Sequence, residues 1–175
     1  PTYDSGYSFN VPTQETVDSF EDGDSRKEVS ILDIEAWAEQ TGATYGLGYE
    51  HTGYYNRKYI PRKGDQNIGD QNLTNPNNYR SIRFADVLLM AAEANNRGSI
   101  DDAKAQSYLN MVRARAFGGD SNNISASGSE LTDAIYHERH VELVGEGHRF
   151  FDLVRTGQAP SEIDGFIAGK HELFP

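Results

Sequence analysis

The chain contains no cysteine, which removes a disulfide framework and every thiolate metal site. That absence leaves the compartment open, because a reduced compartment and a bacterial surface both suit a cysteine-free chain. No run of eighteen apolar residues occurs, so no membrane-spanning helix is expected. The opening PTYDSGYSFN has neither a basic n-region nor an apolar h-region and is not a signal peptide. The chain starts at Pro1 without a methionine and stops at Pro175 straight after Leu173 and Phe174, which suggests a piece of something longer. Positive charge is scarce, with 16 Lys and Arg against 27 Asp and Glu, for a net charge of −11. A nucleic-acid backbone or an anionic lipid surface needs a basic face to release its counterions, so both partners are disfavoured. No G-x-S-x-G, P-loop or G-x-G-x-x-G occurs, and hydrolase nucleophiles and phosphate cradles lack support.

What is present is enough for one ordinary domain: 175 residues, 37% hydrophobic and 11% aromatic. Residues 1–79 are rich in Gly, Tyr, Asn and Asp without a sustained 3.6 period. They read as a loop-rich lobe with short strands, one helical turn near Ile34 to Glu39, and the candidate ligand region. Residues 80–158 read as a helical scaffold, and 159–175 as a tail. Phe84, Val87, Leu88, Ala91, Ala92 and Ala94 recur at three and four spacing and predict a helix that Gly98 ends. Ser99 and Asp102 fit a capping box. Ile100, Ala103, Tyr108, Leu109, Val112 and Ala116 continue a second stripe to Gly118. A four-residue link turns these two helices into an αα-hairpin. A third helix over about Glu130 to Val144 turns Leu131, Ala134, Ile135, Val141 and Val144 inward, and a short helix follows over His148 to Arg155. Glu138 falls one heptad after Leu131, on the inward stripe. A buried carboxylate must be paired, and Arg113, Arg115 and Arg149 are the candidate partners.

Several polar patterns resemble chemical motifs and fail on spacing. HERHVE at His137 to Glu142 lacks the two histidines four apart that a zinc helix needs, since His140 is one position early. Asp65-x-Asn67-x-Gly69 opens like a calcium loop, but the required Gly and Glu are Asp70 and Pro76. No metal or other cofactor is expected. Glu138, Glu142, Glu146 and Asp152 could supply a glycosidase pair. Arg139, Arg149 and Arg155 share their segment, though, and arginine pairing lowers carboxyl pKa values, which favours a structural ion-pair lattice. Arg57, Lys58, Arg62 and Lys63 read as a solvated basic patch. Trp37, Tyr45, Tyr49, Tyr54 and Tyr55 crowd a glycine-broken stretch, where core packing and stacking against sugar rings or a protein partner stay equally open.

RFADVLLMAAEA at Arg83 to Ala94, LNMVRARA at Leu109 to Ala116 and above all ERHVELVGEGHRFFDLVRTG at Glu138 to Gly157 resemble the SusD/RagB family of glycan-binding outer-membrane lipoproteins. VPTQETVDSFEDGDSRKEVSIL at Val11 to Leu32 looks like the family's segment ending in an acidic turn, here Asp24-Ser25-Arg26. GKHELFP at Gly169 to Pro175 looks like the approach to its C-terminal Pro-Ile-Pro segment. The resemblance implies an all-α fold of tetratricopeptide-like helical hairpins with a loop-rich lobe. It implies no enzymatic activity, and a partnership with a SusC-like TonB-dependent transporter that receives oligosaccharide or polysaccharide. It places the protein on the bacterial cell surface, attached to the membrane only through a lipid anchor outside this chain. The family fixes no universal ligand residues, so Trp37, Tyr45, Tyr49, Tyr54 and Tyr55 stand as candidates on their own chemistry. The alternative is a helical-repeat scaffold that binds a peptide or a protein.

Overall fold

The computed structural model describes residues 9–48, 50–60 and 77–171. Helix dominates. In chain order the described elements are α1 (Gln14–Asp18), α2 (Arg26–Ser30), β1 (Ile31–Asp33), α3 (Ile34–Thr41), β2 (Tyr54–Asn56), α4 (Phe84–Arg97), α5 (Asp102–Phe117), α6 (Gly128–Glu142), α7 (Arg149–Arg155) and α8 (Ala159–Glu162), with a 3₁₀ turn at Asp120–Asn122. The expected αα-hairpin is α4 and α5, and α6 packs on both. Their shared core is Leu88, Leu89, Ala92, Ala105, Leu109, Val112, Leu131 and Ile135. Leu89, Leu109, Leu131 and Ile135 are fully buried, each contributing roughly 1.5–3 kcal/mol by burial.

The α4 face differs from the sequence expectation. Phe84 and Val87 lie outward, 70% and 44% exposed, and Ala94 is exposed as well. The buried side instead carries Leu89 together with Asp86, Glu93 and Asn96. These polar residues turn inward because partners wait for them: Arg139 for Asp86, Arg155 for Glu93 and Thr132 for Asn96. An apolar-only pattern therefore finds Leu88 and Ala92 in the core but misses the polar part of the buried face. The start of α5 also differs. Ser99 adopts a left-handed φ of 51°, and Asp101 caps the helix by accepting from the Lys104 amide at 3.0 Å. Asp102 instead accepts from the Asn96 side chain and the Gly128 amide, which ties α4 to the start of α6. The inward stripe of α5 omits Ile100 and Ala103, which are exposed, and includes Arg113, which is buried.

The N-terminal part holds a two-stranded antiparallel ribbon, with Ile31 opposite Asn56, Leu32 opposite Tyr55 and Asp33 opposite Tyr54. Asp33 ends the strand and caps α3 by accepting from Ala36, so strand and helix meet without a loop. A second core of Val17, Phe20, Ile31 and Val141 joins α1 and β1 to α6. Gly145 follows α6 with φ 73°, and a Cβ there would stand 2.4 Å from the Asn56 amide. Asn56 donates to the Gly145 carbonyl and accepts from the Lys58 amide, which pins the end of β2 to the scaffold.

Candidate functional site

The charged motif of α6 and α7 is a lattice of ion pairs. Glu138 is 0% exposed and receives Arg113 at 2.9 Å and Arg26 at 2.5 Å. Arg26 also binds Asp24 and Glu142. Glu142 collects Arg83 and Arg115 as well, and Glu146 collects Arg83 and Lys58. Arg139 bridges Asp86 and Asp152, while Arg155 bridges Glu93 and Asp152. Burial alone would raise the carboxyl pKa values of Glu142, Glu146 and Glu93. The cations win, and all three are lowered: by Arg115, Arg83 and Arg26 at Glu142, by Arg83 and Lys58 at Glu146, and by Arg155 and Arg97 at Glu93. A carboxyl held ionised in this way is a poor proton donor.

Of the candidate partners of Glu138, Arg113 is observed. Arg115 goes to Glu142, and Arg149 reaches Glu162 at 3.5 Å. Arg26 is the partner that sequence reasoning missed. Its only signal was the Asp24-Ser25-Arg26 turn, which says nothing about a contact 112 positions away. Lys58 belongs to this lattice rather than to a solvated patch, because its ammonium binds Glu146 at 2.6 Å. Arg57 donates to the Glu28 carbonyl, while Arg62 and Lys63 lie outside the described residues, as does the Asp65 to Gly69 motif. His140 is half-buried against Thr16 at 3.5 Å, and His137 stands 3.7 Å from Glu21. Among the described residues no group of three or more His, Asp or Glu side chains converges as a metal site would require.

The aromatic stretch behaves differently. The Tyr45 and His51 rings lie 5.8 Å apart at 33°, and His51 and Tyr55 lie 5.9 Å apart at 47°. The His51 Nδ1 and the Tyr55 hydroxyl are 3.2 Å apart. Three rings thus form one tilted arc at the end of the ribbon, with Tyr45 exposed and the other two half-buried. Histidine 51 was not among the sequence candidates, although its place between two tyrosines was visible. Tyr54 points the other way, since neighbouring strand residues face opposite sides, and it packs on the Val17, Phe20, Ile31 and Val141 core. Trp37 is half-exposed on α3, two positions after Glu35 and therefore on a different side of that helix from it. Tyr49 lies outside the described residues. A separate stack joins Tyr59 to Tyr79 at 6.2 Å, with the Arg80 guanidinium 5.1 Å from the Tyr59 ring. A cleft of about 90 Å³ between α1, β1 and the Gly145 turn, lined by Thr13, Ser30 and Asn56 among others, has room for about three waters. The Tyr45–His51–Tyr55 arc offers flat apolar faces with polar tips on open surface.

Residues 34–172 match the SusD family model. The chain belongs to the SusD family. It is 43% identical to a laminarin-binding SusD-like protein over 100% of its own length and 36% of that chain, with a TM-score of 0.83. A surface glycan-binding protein A from Bacteroides thetaiotaomicron, solved in complex with laminarihexaose, is 32% identical over 91% of this chain and 34% of that one, with a TM-score of 0.77. SusD-like protein P2 from Formosa agariphila is 42% identical over 84 residues, 45% of this chain and 17% of that protein. The chain thus spans about a third of the solved SusD relatives it matches. The SusD match covers α3 to α8, including β2 and the ring arc, and leaves out α1, α2 and β1; the helical fold is the one the motif resemblance implies.

Proposed function

We propose that the chain is part of a non-catalytic glycan-binding subunit of an outer-membrane import system, and that its ligand is a laminarin-type glucan. The observation that carries this reading is its 43% identity, along its whole length, to a laminarin-binding SusD-like protein. The exposed Tyr45–His51–Tyr55 arc supports it locally, because tilted rings less than 6 Å apart offer successive stacking faces to a sugar chain that turns. Tyr45, His51 and Tyr55 form the proposed platform, with Trp37 and Tyr49 as separate candidates and Tyr54 serving mainly in packing. The half-exposed rings favour glycan over the alternative of a peptide-binding helical scaffold. The lattice supports the non-catalytic reading: Glu142, Glu146 and Glu93 are tied to guanidinium or ammonium groups with lowered pKa values and are poor general acids near neutral pH. A SusC-like TonB-dependent transporter is the proposed partner at the cell surface, with attachment through a lipid anchor outside this chain. Among the described residues no helix is long and apolar enough to cross a membrane. Affinity electrophoresis of the full-length protein through a panel of polysaccharides tests the reading. Retardation by laminarin without loss of polymer length is expected; migration unaffected by every polysaccharide would overturn it.

A further inference from the structure

Helix α4 carries two apolar faces. Leu88, Leu89 and Ala92 meet the shared core. Phe84, Val87, Met90, Ala91 and Ala94 fall on the opposite side, within about a third of the helix circumference, and no polar residue interrupts them. Phe84 is 70% exposed, and Val87 and Met90 are 44% and 45% exposed. Ile82, two residues before the helix, is exposed as well. The other long helices differ: α5 turns Lys104, Ser107, Met111 and Arg115 to solvent, and α6 turns Glu130 and Asp133. The acids of α4 have gone inward instead, where Arg139 holds Asp86 and Arg155 holds Glu93. A helix with its acids paired inside and a continuous apolar stripe outside is built to be packed on both sides.

We propose that this outer face of α4 is an internal interface of the full-length protein, covered by a helix of the same polypeptide that lies outside residues 1–175. The chain covers 36% and 34% of the two solved SusD relatives, so most of each relative lies beyond it and an occupant has ample length to come from. Phe84, Val87, Ala91 and Ala94 stand at alternating three and four spacing, the stripe that packs along a neighbouring helix. The two alanines let that helix approach closely. A second copy of the chain fits less well, because it would bring a net charge of −11 against the same charge, which opposes association. Residues 61–76 also fit less well: their large apolar side chains are Ile68 and Leu73, set among two prolines and two glycines, too few to cover five apolar positions. The interface belongs to the scaffold and is independent of the ring arc.

The experiment is maleimide labelling of the full-length protein carrying Val87→Cys or Ala94→Cys, each rate being referred to that of the same variant unfolded in urea. Residues 1–175 add no cysteine of their own to the background. Labelling of the folded variants is expected to be slower by about tenfold or more at both positions, and to stay slow on dilution. Rates close to those of the unfolded variants would leave the face open to solvent and overturn the proposal. Protection that is lost on dilution would assign the face to a second copy and overturn it as well. Phe84→p-benzoylphenylalanine then identifies the occupant by photo-cross-linking and mass spectrometry. Cross-links to peptides of the same polypeptide outside residues 1–175 are expected, whereas cross-links into residues 61–76 or to a separate protein contradict the proposal. The cross-link is read on its own should a cysteine variant fail to fold.

Discussion

Glu138 shows at the residue scale how a charge becomes part of a core. It is fully buried, yet Arg113 and Arg26 hold its two oxygens from different elements. Replacing one member leaves the others uncompensated, which costs on the order of 3–5 kcal/mol. Glu138→Ala is therefore expected to lower the denaturation midpoint sharply, whereas retained stability would show that the guanidinium groups find other partners. The burial of Glu138 was legible, because it shares a stripe with Leu131 and Ile135, and so was Arg113 on the facing helix. Arg26 was not, since no local period reports a contact between α2 and α6. Titration gives a second test. Burial, then the charges of Arg149 and His137, push His140 down to about 4 from an ordinary value of 6.5. A group with a lowered folded pKa contributes stability that is fully present above 6.5 and is lost as pH falls from 6.5 toward 4. The loss is on the order of 2–3 kcal/mol. Denaturation midpoints measured across that window should fall before the carboxylates titrate, and His140→Gln should flatten the slope. An unchanged slope in the variant would place the proton uptake elsewhere.

At the scale of elements, the short pieces of the N-terminal part depend on a few backbone positions. Gly145 needs its left-handed φ and also the space where a Cβ would meet Asn56. Gly145→Ala is expected to cost about 1–2 kcal/mol for the backbone alone, and more because Asn56 loses its place between the Gly145 carbonyl and the Lys58 amide. Proteolysis near β2 should speed up; a variant as resistant as the native protein would mean that Asn56 re-seats elsewhere. The three long helices could be read from the sequence within a few residues because their cores repeat leucine, isoleucine and valine at helical spacing. The full buried face of α4 could not, since Asp86 and Glu93 join Leu88 and Ala92 there while Phe84 and Val87, which an apolar pattern turns inward, lie outside. The cap of α5 was misplaced by two residues for a related reason: Ser99 sits in a left-handed turn, and a hydroxyl there cannot do what the Asp101 carboxylate does. The short helices α1 and α2 carry too few residues for any period to show.

At the scale of the whole molecule, the charged motif and the aromatic stretch divide the labour. The Glu–Arg lattice ties α2, α4, α5, α6 and α7 together, and its acids are spoken for by cations. The three-ring arc lies outside that lattice, half-open, on a ribbon that Asn56 and Asp33 fix in place. Trp37 is half-exposed on α3, while the gathering of Tyr45 and Tyr55 around His51 depends on loop geometry that no spacing rule supplies. Stacking on an aromatic ring is worth roughly 1 kcal/mol or more beyond area burial, which translates to a loss of several-fold in affinity per ring removed. The most direct measurement is calorimetric titration of the full-length protein with laminarin, repeated for Tyr45→Ala and Tyr55→Ala with thermal melts to verify folding. Affinity should fall several-fold or more in each variant while the melts stay within a few degrees of the native protein; native-like laminarin affinity in both folded variants would contradict a glycan site at the ring arc.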